Sequence, residues 1–382
     1  MESKRYLNSE PVETNGNPAL IGSRQPIRYS VVIPAYNAER YLEKLAPWLA
    51  SMALRRNTEV IVIDDGSTDS TAAVLNGIAG LKLLRLAANQ GPAAARNAGA
   101  QAASGAVLIF FDADTLPASD ALDRIETWDH QHPHEDALIG SYCAHPEAIT
   151  TVSRFKNLFH RFVHQQGKTY ASTFWTGCGV IRSERFRQLG GFDTVLYRRP
   201  SIEDIELGMR LVEAGGTIRL DRELVVSHRK RWALWELIKT DVWQRGVPWT
   251  HLCLRSQKMQ NDLNLRWDHR LSVTLVGLAA AAMVSGVTGW VPGTAALGLV
   301  VVSLSAVCVL NRRFYAYLVD VGGPWFALKS IPLHWLYCAY CSIAFGLGIL
   351  TYPWVRKRHQ RSVGHVKSRY DNLLSPKNNT EG

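Results

Sequence analysis

The sequence has only six cysteines among 382 residues, and they are scattered. That spacing excludes a disulfide framework. The one close pair, Cys338 and Cys341, lies in an apolar stretch with no partner ligands, which marks both as packing residues rather than a redox or zinc pair. The first 28 residues are polar, carry Asn, Pro and Gly, and lack the apolar run of a secretory signal. They predict a disordered tail, followed by a domain that stays in the cytoplasm. Nor does any RNA- or DNA-binding motif accompany the formal charge of +10. The basic residues cluster beside apolar segments, as in Arg229-Lys230-Arg231 and Arg356-Lys357-Arg358. That placement suits anionic lipid headgroups and argues against a nucleic-acid partner.

What the first half does have is a series of apolar runs that end in polar clusters. "LIFFDADT" (Leu108–Thr115) reads as a strand buried on both faces that stops on Asp112 and Asp114. Residues i and i+2 of an extended segment share a face, so both carboxylates can address one hard divalent cation; a polar turn is the competing reading. "YSVVIPAYN" (Tyr29–Asn37) reads as a strand broken by Pro34 and leading into a loop. "EVIVIDDGSTDSTAAVLNGI" repeats the plan, with Asp69 or Ser70 capping the next helix. "LKLLRL" is a third strand, and "GPAAARNAGAQAASG" an Ala-rich helix. Repeated strand–loop–helix units predict an α/β fold, a mostly parallel sheet with helices on both faces. Ligands of such sheets bind beyond the carboxyl ends of the strands, where Pro34–Asn37, Asp64–Asp65 and Asp112–Asp114 all fall. Farther on, "SIEDIELGMRLVEAGG" predicts a helix from about Glu203 to Ala214. Its first-turn acids, Glu203 and Asp204, suit the helix dipole in any case.

After Asp221 the composition changes. In "RWALWELIKTDVWQRGVPW", Leu234, Trp235, Ile238 and Val242 fall on one helical face, the pattern of a helix lying in a membrane interface or of a buried amphipathic helix. "LSVTLVGLAAAAMVSGVTGW" and "TAALGLVVVSLSAVCVL" are each long enough to span a hydrocarbon core of ~30 Å, and Ile331–Tyr352 is a third candidate. Three spans would put "VRKRHQR" on the side opposite the N-terminal domain, against the positive-inside tendency. The expectation is therefore two true spans and a third, re-entrant or strongly tilted element. The parts are then a tail (1–28), a catalytic domain (29–228), interfacial helices (229–268), a transmembrane region (269–353) and a basic tail (354–382), with the whole anchored in the inner (plasma) membrane.

"VVIPAYN", "VIDDGSTD", "GPAAARNAG", "FFDADT", "GGFD" and "IED" occur in the order typical of family-2 glycosyltransferases of the GT-A fold, and from Tyr29 to Trp249 the chain resembles that family. The resemblance implies an enzyme that moves a sugar from a nucleotide-diphosphate sugar with the help of Mg²⁺ or Mn²⁺. It implies that Pro34, Tyr36, Asn37, Glu39, Asp64, Asp65 and Arg96 bind the donor, with Tyr36 offering a ring to the base. Asp114 would hold the metal, Asp112 would contact the ribose or the metal, and His228 would join them on a segment that closes over the diphosphate. Of the acidic pair Glu203-Asp204, Asp204 would be the general base. Trp175 and Gly177 of "WTGCG" would line the acceptor side. No further carboxylate is placed to form a covalent intermediate, so inversion is expected. The Gln-x-x-Arg-Trp motif of the processive polymer synthases is not matched by "QRGVPW" (Gln244–Trp249), which favours transfer of one sugar. The Trp-rich helix and spans suggest a lipid-linked or membrane-proximal acceptor. Two rivals are a non-catalytic module binding nucleotide-sugars or lipids, and a haloacid-dehalogenase-type phosphatase. The phosphatase places its Thr one residue later than Thr115 and its acids on the first strand.

Overall fold

The computed structural model describes residues 26–147, 150–256, 263 and 266–374, with side chains as far as Arg356. The expected N-terminal tail and the side chains of Lys357 and Arg358 therefore lie outside the described residues, apart from residues 26–28.

One sheet organises the first 228 residues. Its strands are β1 (Tyr29–Ala35), β2 (Thr58–Asp64), β3 (Leu81–Arg85), β4 (Val107–Phe111), β5 (Thr115–Pro117), β6 (Ala137–Tyr142), β7 (Cys178–Arg182) and β8 (Ile218–His228). They lie in the order β3-β2-β1-β4-β7-β6-β8-β5. β3, β2, β1 and β4 run parallel, β7 is antiparallel to both its neighbours, β6 and β8 are parallel, and β5 is antiparallel to β8. Alternate strand residues feed two separate cores: Val107, Ile109 and Phe111 on one face, Leu108 and Phe110 on the other. This is the period of two expected of strands covered on both faces.

Pro34 does not break β1. The strand pairs with β2 through Ala35, whereas its pairing with β4 ends at Val32. The missing N–H thus costs no ladder bond on the β4 side.

Between the strands lie α1 (Glu39–Ala53), α2 (Thr71–Asn76), α3 (Pro92–Ala102), α4 (Ala121–Gln131), α5 (Thr151–Gln165), α6 (Ser183–Gln188) and α7 (Glu203–Glu213). Asp69 rather than Ser70 serves the start of α2, its Oδ1 accepting from the Thr71 N–H at 3.0 Å. After β8 come α8 (Leu234–Lys239), a π-helix (Thr240–Gly246) and α9 (Val247–Ser256). Of the two readings of the apolar stripe expected here, interfacial or buried, each holds for part of it. Leu234 and Trp235 stay exposed, but Val242 is buried and Ile238 packs against the core.

The C-terminal part comprises α10 (Trp267–Val287), α11 (Gly293–Leu310), α12 (Arg312–Gly322) and α13 (Pro324–Leu374). Three helices there are long and apolar enough to cross a membrane: Trp267–Val287, Gly293–Leu310 and Pro324–Arg356. Of the two forms expected for the third element, re-entrant or strongly tilted, the re-entrant one is corrected. Residues 324–374 form one continuous helix of 51 residues, with Pro332 and Pro353 inside it and no reversal of direction.

Candidate active site

The carboxyl ends of β1, β2, β4, β6 and β8 share one rim. β7 runs the other way, so the loop before it, carrying Trp175 and Gly177, reaches the same rim from the opposite direction. The topology thus gathers Tyr36 and Asn37, Asp64 and Asp65, Asp112 and Asp114, Tyr142, Trp175 and His228 on one edge.

On the β1–β2 side the polar residues hold one another. Asn37 adopts a left-handed backbone (φ 47°), which its short polar side chain tolerates. Its N–H donates to Ser67 Oγ at 3.0 Å, and its Oδ1 accepts from the Thr68 N–H at 2.9 Å. Glu39 is tied in the same way: its N–H donates to Asp69 Oδ2, and its carboxylate accepts from the Ser70 N–H. Asn37 and Glu39 line an open cleft of about 730 Å³, while Tyr36 exposes half of its ring surface beside them. Asp64 is buried, accepting from the Ser67 N–H and pairing with Arg85. Both Asp65 oxygens accept backbone N–H groups, of Gln90 and Gly91, at 2.8 Å. Asp65 therefore fixes the entry to α3. Gly91 is required there: its φ is +91°, and a Cβ would come within 2.3 Å of the Arg198 carbonyl oxygen.

At the centre is Arg96, from the Ala-rich helix α3. Its Nη2 donates to Asp112 Oδ1 at 2.6 Å and its Nη1 to Glu203 Oε1 at 3.0 Å. Arg96 and Glu203 are buried, so this guanidinium does not stand free beside a ligand; it clamps the end of β4 to the start of α7. One cation thereby compensates two acids that burial would otherwise penalise. Asp204 follows Glu203, half-buried. Its Oδ2 accepts from the Thr176 N–H (3.1 Å) and Thr176 Oγ1 (3.3 Å), and its Oδ1 from the Ile205 N–H at 2.8 Å. Burial and then the neighbouring Glu203 raise its pKa to about 6, against the pull of Arg96 and the two amides. A half-buried carboxylate poised near neutrality is suited to taking a proton.

Asp114 faces His228 across the rim, Oδ2 to Nε2 at 3.5 Å. Burial works to raise the Asp114 carboxyl, but the His228 ring and the Lys230 ammonium outweigh it and hold the group below its ordinary range. The other ring nitrogen, His228 Nδ1, lies 3.0 Å from Oδ1 of buried Asn157. A proton on Nδ1 donating to that amide oxygen fixes the ring with Nε2 facing Asp114, where it donates to the bare carboxylate and, once deprotonated, is the nitrogen that could turn to an ion. Among the described residues no group of three or more His, Cys, Asp or Glu could hold an ion unaided. A carboxylate and an imidazole fit a divalent ion that takes its remaining ligands from a substrate's phosphate oxygens and water, as Mg²⁺ commonly does. Asp112 is engaged by Arg96.

Tyr142 ties the two halves together. Its pKa is raised by burial first, then by Asp114, Asp112 and Asp204, so all three acids act on one hydroxyl. Its ring meets those of Trp175 (4.7 Å between centroids) and His228 (5.3 Å). Gly177 has a steric reason: a Cβ there would sit 2.5 Å from the Trp175 ring. Lys230 Nζ stands 4.1 Å above the Trp232 ring and the Arg245 guanidinium 6.0 Å from it. Thr176, Tyr142, Asn157 and Arg245 were not singled out as site residues from the sequence; Lys230 was, with His228, on the segment expected to close over the diphosphate. Asn157 carried no signal there, since charged Lys156 stands next to it.

Residues 30–190 match the sequence model described as "Glycosyl transferase family 2". The pre-mycofactocin glycosyltransferase of Mycobacterium tuberculosis is 27% identical over 237 residues, 57% of this chain and 46% of that protein. The dolichyl-phosphate beta-glucosyltransferase of Drosophila melanogaster is 26% identical over 277 residues, 66% of this chain and 75% of that protein. The chain spans between 39% and 65% of the length of the first curated relatives it matches. Among solved structures, the mannosyltransferase PcManGT from Pyrobaculum calidifontis, in complex with GDP-Man and Mn²⁺, shares the fold. Its TM-score is 0.56 at 20% identity, over 87% of this chain and 90% of the other.

Proposed function

We propose, from the match of residues 30–190 to the family-2 glycosyltransferase model, that the protein transfers one sugar from a nucleoside-diphosphate sugar to a hydroxyl of a membrane-held acceptor, with inversion at the anomeric carbon. The observation that carries this reading is the Arg96 clamp. By joining Asp112 to Glu203 it ties the end of β4 to the start of α7, next to Asp204, which supports a common site for the metal-side acids and the base.

At that site Asp204 accepts the proton of the acceptor hydroxyl as its oxygen bonds to the anomeric carbon. The bond from that carbon to the diphosphate breaks on the opposite side. Thr176 and the Ile205 amide hold the carboxylate in place, and burial keeps it basic enough to act. Asp114 and His228 would hold a divalent ion, which when bound neutralises charge gathering on the departing diphosphate. The nucleotide would lie along Tyr36, Asn37 and Glu39, with Asp64 and Asp65 fixing the loops beneath it. Trp175 would face the acceptor. GDP-Man and Mn²⁺ in the archaeal mannosyltransferase are in keeping with such a pair of ligands. The catalytic domain would face the cytoplasm.

Lys230 and Arg245 favour a second reading, in which the acceptor oxygen belongs to a lipid phosphate. Both cations stand at Trp232, and each is within electrostatic reach of a site acid: Lys230 of Asp114, Arg245 of Asp204. A phosphate monoester is already ionised near pH 7 and needs no base. The purified full-length protein with Mn²⁺, screened against nucleotide sugars for released nucleoside diphosphate, tests the enzyme reading; no release with any donor and membrane extract overturns it. Asp204→Asn then separates the acceptors, since a hydroxyl acceptor loses the reaction and a phosphate acceptor retains it.

A further inference from the structure

We propose that α13, although long and apolar enough to span a bilayer, lies in the plane of the membrane surface. One face rests on the catalytic domain and the opposite face enters the acyl boundary. Only the α10–α11 hairpin then crosses, and the chain beyond Arg356 stays on the catalytic side. This inference does not depend on the sugar chemistry.

The first argument is the length over which α13 keeps contact with the domain. His334 and Tyr337 meet the Phe159 ring of α5 at 5.8 and 4.8 Å between centroids. The Tyr340 hydroxyl donates to Asp241 Oδ2 of the π-helix at 2.8 Å. Ala344 lies against Gly246, and Gly348 against Thr250, so closely that a Cβ at either glycine would sit 2.6 and 2.4 Å away. Thr351 Oγ1 is 2.9 Å from His251 Nε2 of α9. From His334 to Thr351 the helix rises ~26 Å, most of a hydrocarbon core's ~30 Å. A helix setting out across the bilayer sheds the domain within a few turns; this one does not.

The elements it touches are themselves tied down. Lys156 of α5 pairs with Asp241 at 2.6 Å, Arg255 of α9 pairs with Glu206 of α7, and Leu252 packs with Tyr197, Ile202 and Met209. α10 behaves differently. Its contacts with α13 fall in its first half: His269 on Tyr337, Val273 and Gly277 on Ser342. Near its far end Gly286 packs on Ala296 of α11.

The second argument is the face that α13 leaves uncovered. Trp325, Leu328, Ile343, Leu350 and Trp354 are exposed, and at 100° per residue they share one side of the helix; exposed Phe345 and Ile349, near the C-terminal end, lie on the other side. Ser330, His334, Tyr337 and Ala344 are buried on that other side. The buried polar side chains of α13 thus face protein, while the shared exposed side is apolar with a Trp near each end, the pattern of an interfacial helix. Exposed Arg312, Arg313, Lys329 and Arg356 flank it, complementary to anionic headgroups. The occupant of this face is a lipid surface, continuous with the lipid that surrounds the hairpin.

The test uses full-length protein in liposomes of phosphatidylcholine and phosphatidylglycerol. A nitroxide is attached through an encoded azide at Leu328, Ile343 or Leu350 singly, with Val301 of the hairpin as a deep reference. Collision with oxygen against a nickel chelate reads depth. We expect one shallow depth at all three positions. A steady gradient over the ~33 Å of helix from 328 to 350 overturns the proposal. Free access of the nickel chelate to all three overturns it too, and points to another cover such as a second copy. Epitope tags at the two termini in sealed vesicles give an independent reading: exposure on the same side is expected, and on opposite sides is fatal.

Discussion

The sheet rim and the C-terminal helices solve opposite problems. At the rim, charged groups are drawn inward and each is answered by a particular partner: Arg96 by Asp112 and Glu203, Asp204 by Thr176, His228 by Asn157. In the C-terminal part apolar surface is left outward, on Trp290, Val302 and Leu350, with no side-chain partner prescribed. Low-dielectric burial makes charge geometry specific, because a misplaced or unpaired partner is costly. Apolar burial is non-directional, and lipid or protein serves it equally. Changes at the rim should therefore act on chemistry in large steps, and changes on the outer helices on placement alone.

The largest effect is expected at Asp204. Asp204→Asn keeps an acceptor for the Thr176 N–H but removes the base, so turnover with a hydroxyl acceptor should fall ~10²–10⁴-fold. Donor affinity, read by calorimetry, should stay within a factor of a few. Equal losses in turnover and donor affinity would mean that Asp204 supports the donor site instead. Asp114→Ala comes next, with a fall of ~10²–10³-fold, the order found when one element stabilising developing charge is removed. Chelation of divalent ions should match that loss in the wild type and add little in the variant.

A smaller and sharper effect is expected from pH. The Asp204 carboxyl, raised to about 6, acts as a base only when ionised. kcat/KM should therefore climb with pH through a midpoint near 6 and level off above it. Glu203→Gln removes the like charge that helps to raise Asp204 and frees Arg96 to pull it down, so the midpoint should move lower. A midpoint unchanged in that variant would assign the limb to another group.

The same contrast explains what the sequence could and could not disclose. Strand ends carrying acids are readable because alternation and chain order locate a rim before any coordinates exist; "VVIPAYN" and "FFDADT" were legible for that reason. The domain's regular βα plan was legible too. Pairings across the sheet were not: nothing in "GPAAARNAG" says that Arg96 closes on an acid 107 residues later. The antiparallel course of β7, which delivers Trp175 and Thr176 to the rim, has no local signature. Ile238 and Val242 turn to the protein while Leu234 and Trp235 stay exposed, because an apolar stripe reads alike whether lipid or protein covers it. α13 was left between a re-entrant and a strongly tilted element because hydropathy records that a face is apolar and not what covers it.

The smallest effect, and the one that tests the rim most finely, is expected at Asn157. Its side-chain oxygen meets the nitrogen of His228 that points away from Asp114, at 3.0 Å, the place of a positioning residue. If its role is to fix the His228 tautomer, Asn157→Ala should leave the rate at saturating Mn²⁺ close to wild type. The Mn²⁺ concentration for half-maximal activity should rise ~10–100-fold, the usual scale for an outer partner of a metal ligand. Asn157→Asp, which keeps an acceptor at the same place, should recover most of that affinity. A loss of saturated rate with no change in Mn²⁺ requirement would show that Asn157 holds α5 against the sheet rather than aiming the imidazole. The buried amide would then belong with the apolar packing of the C-terminal helices and not with the paired charges of the rim.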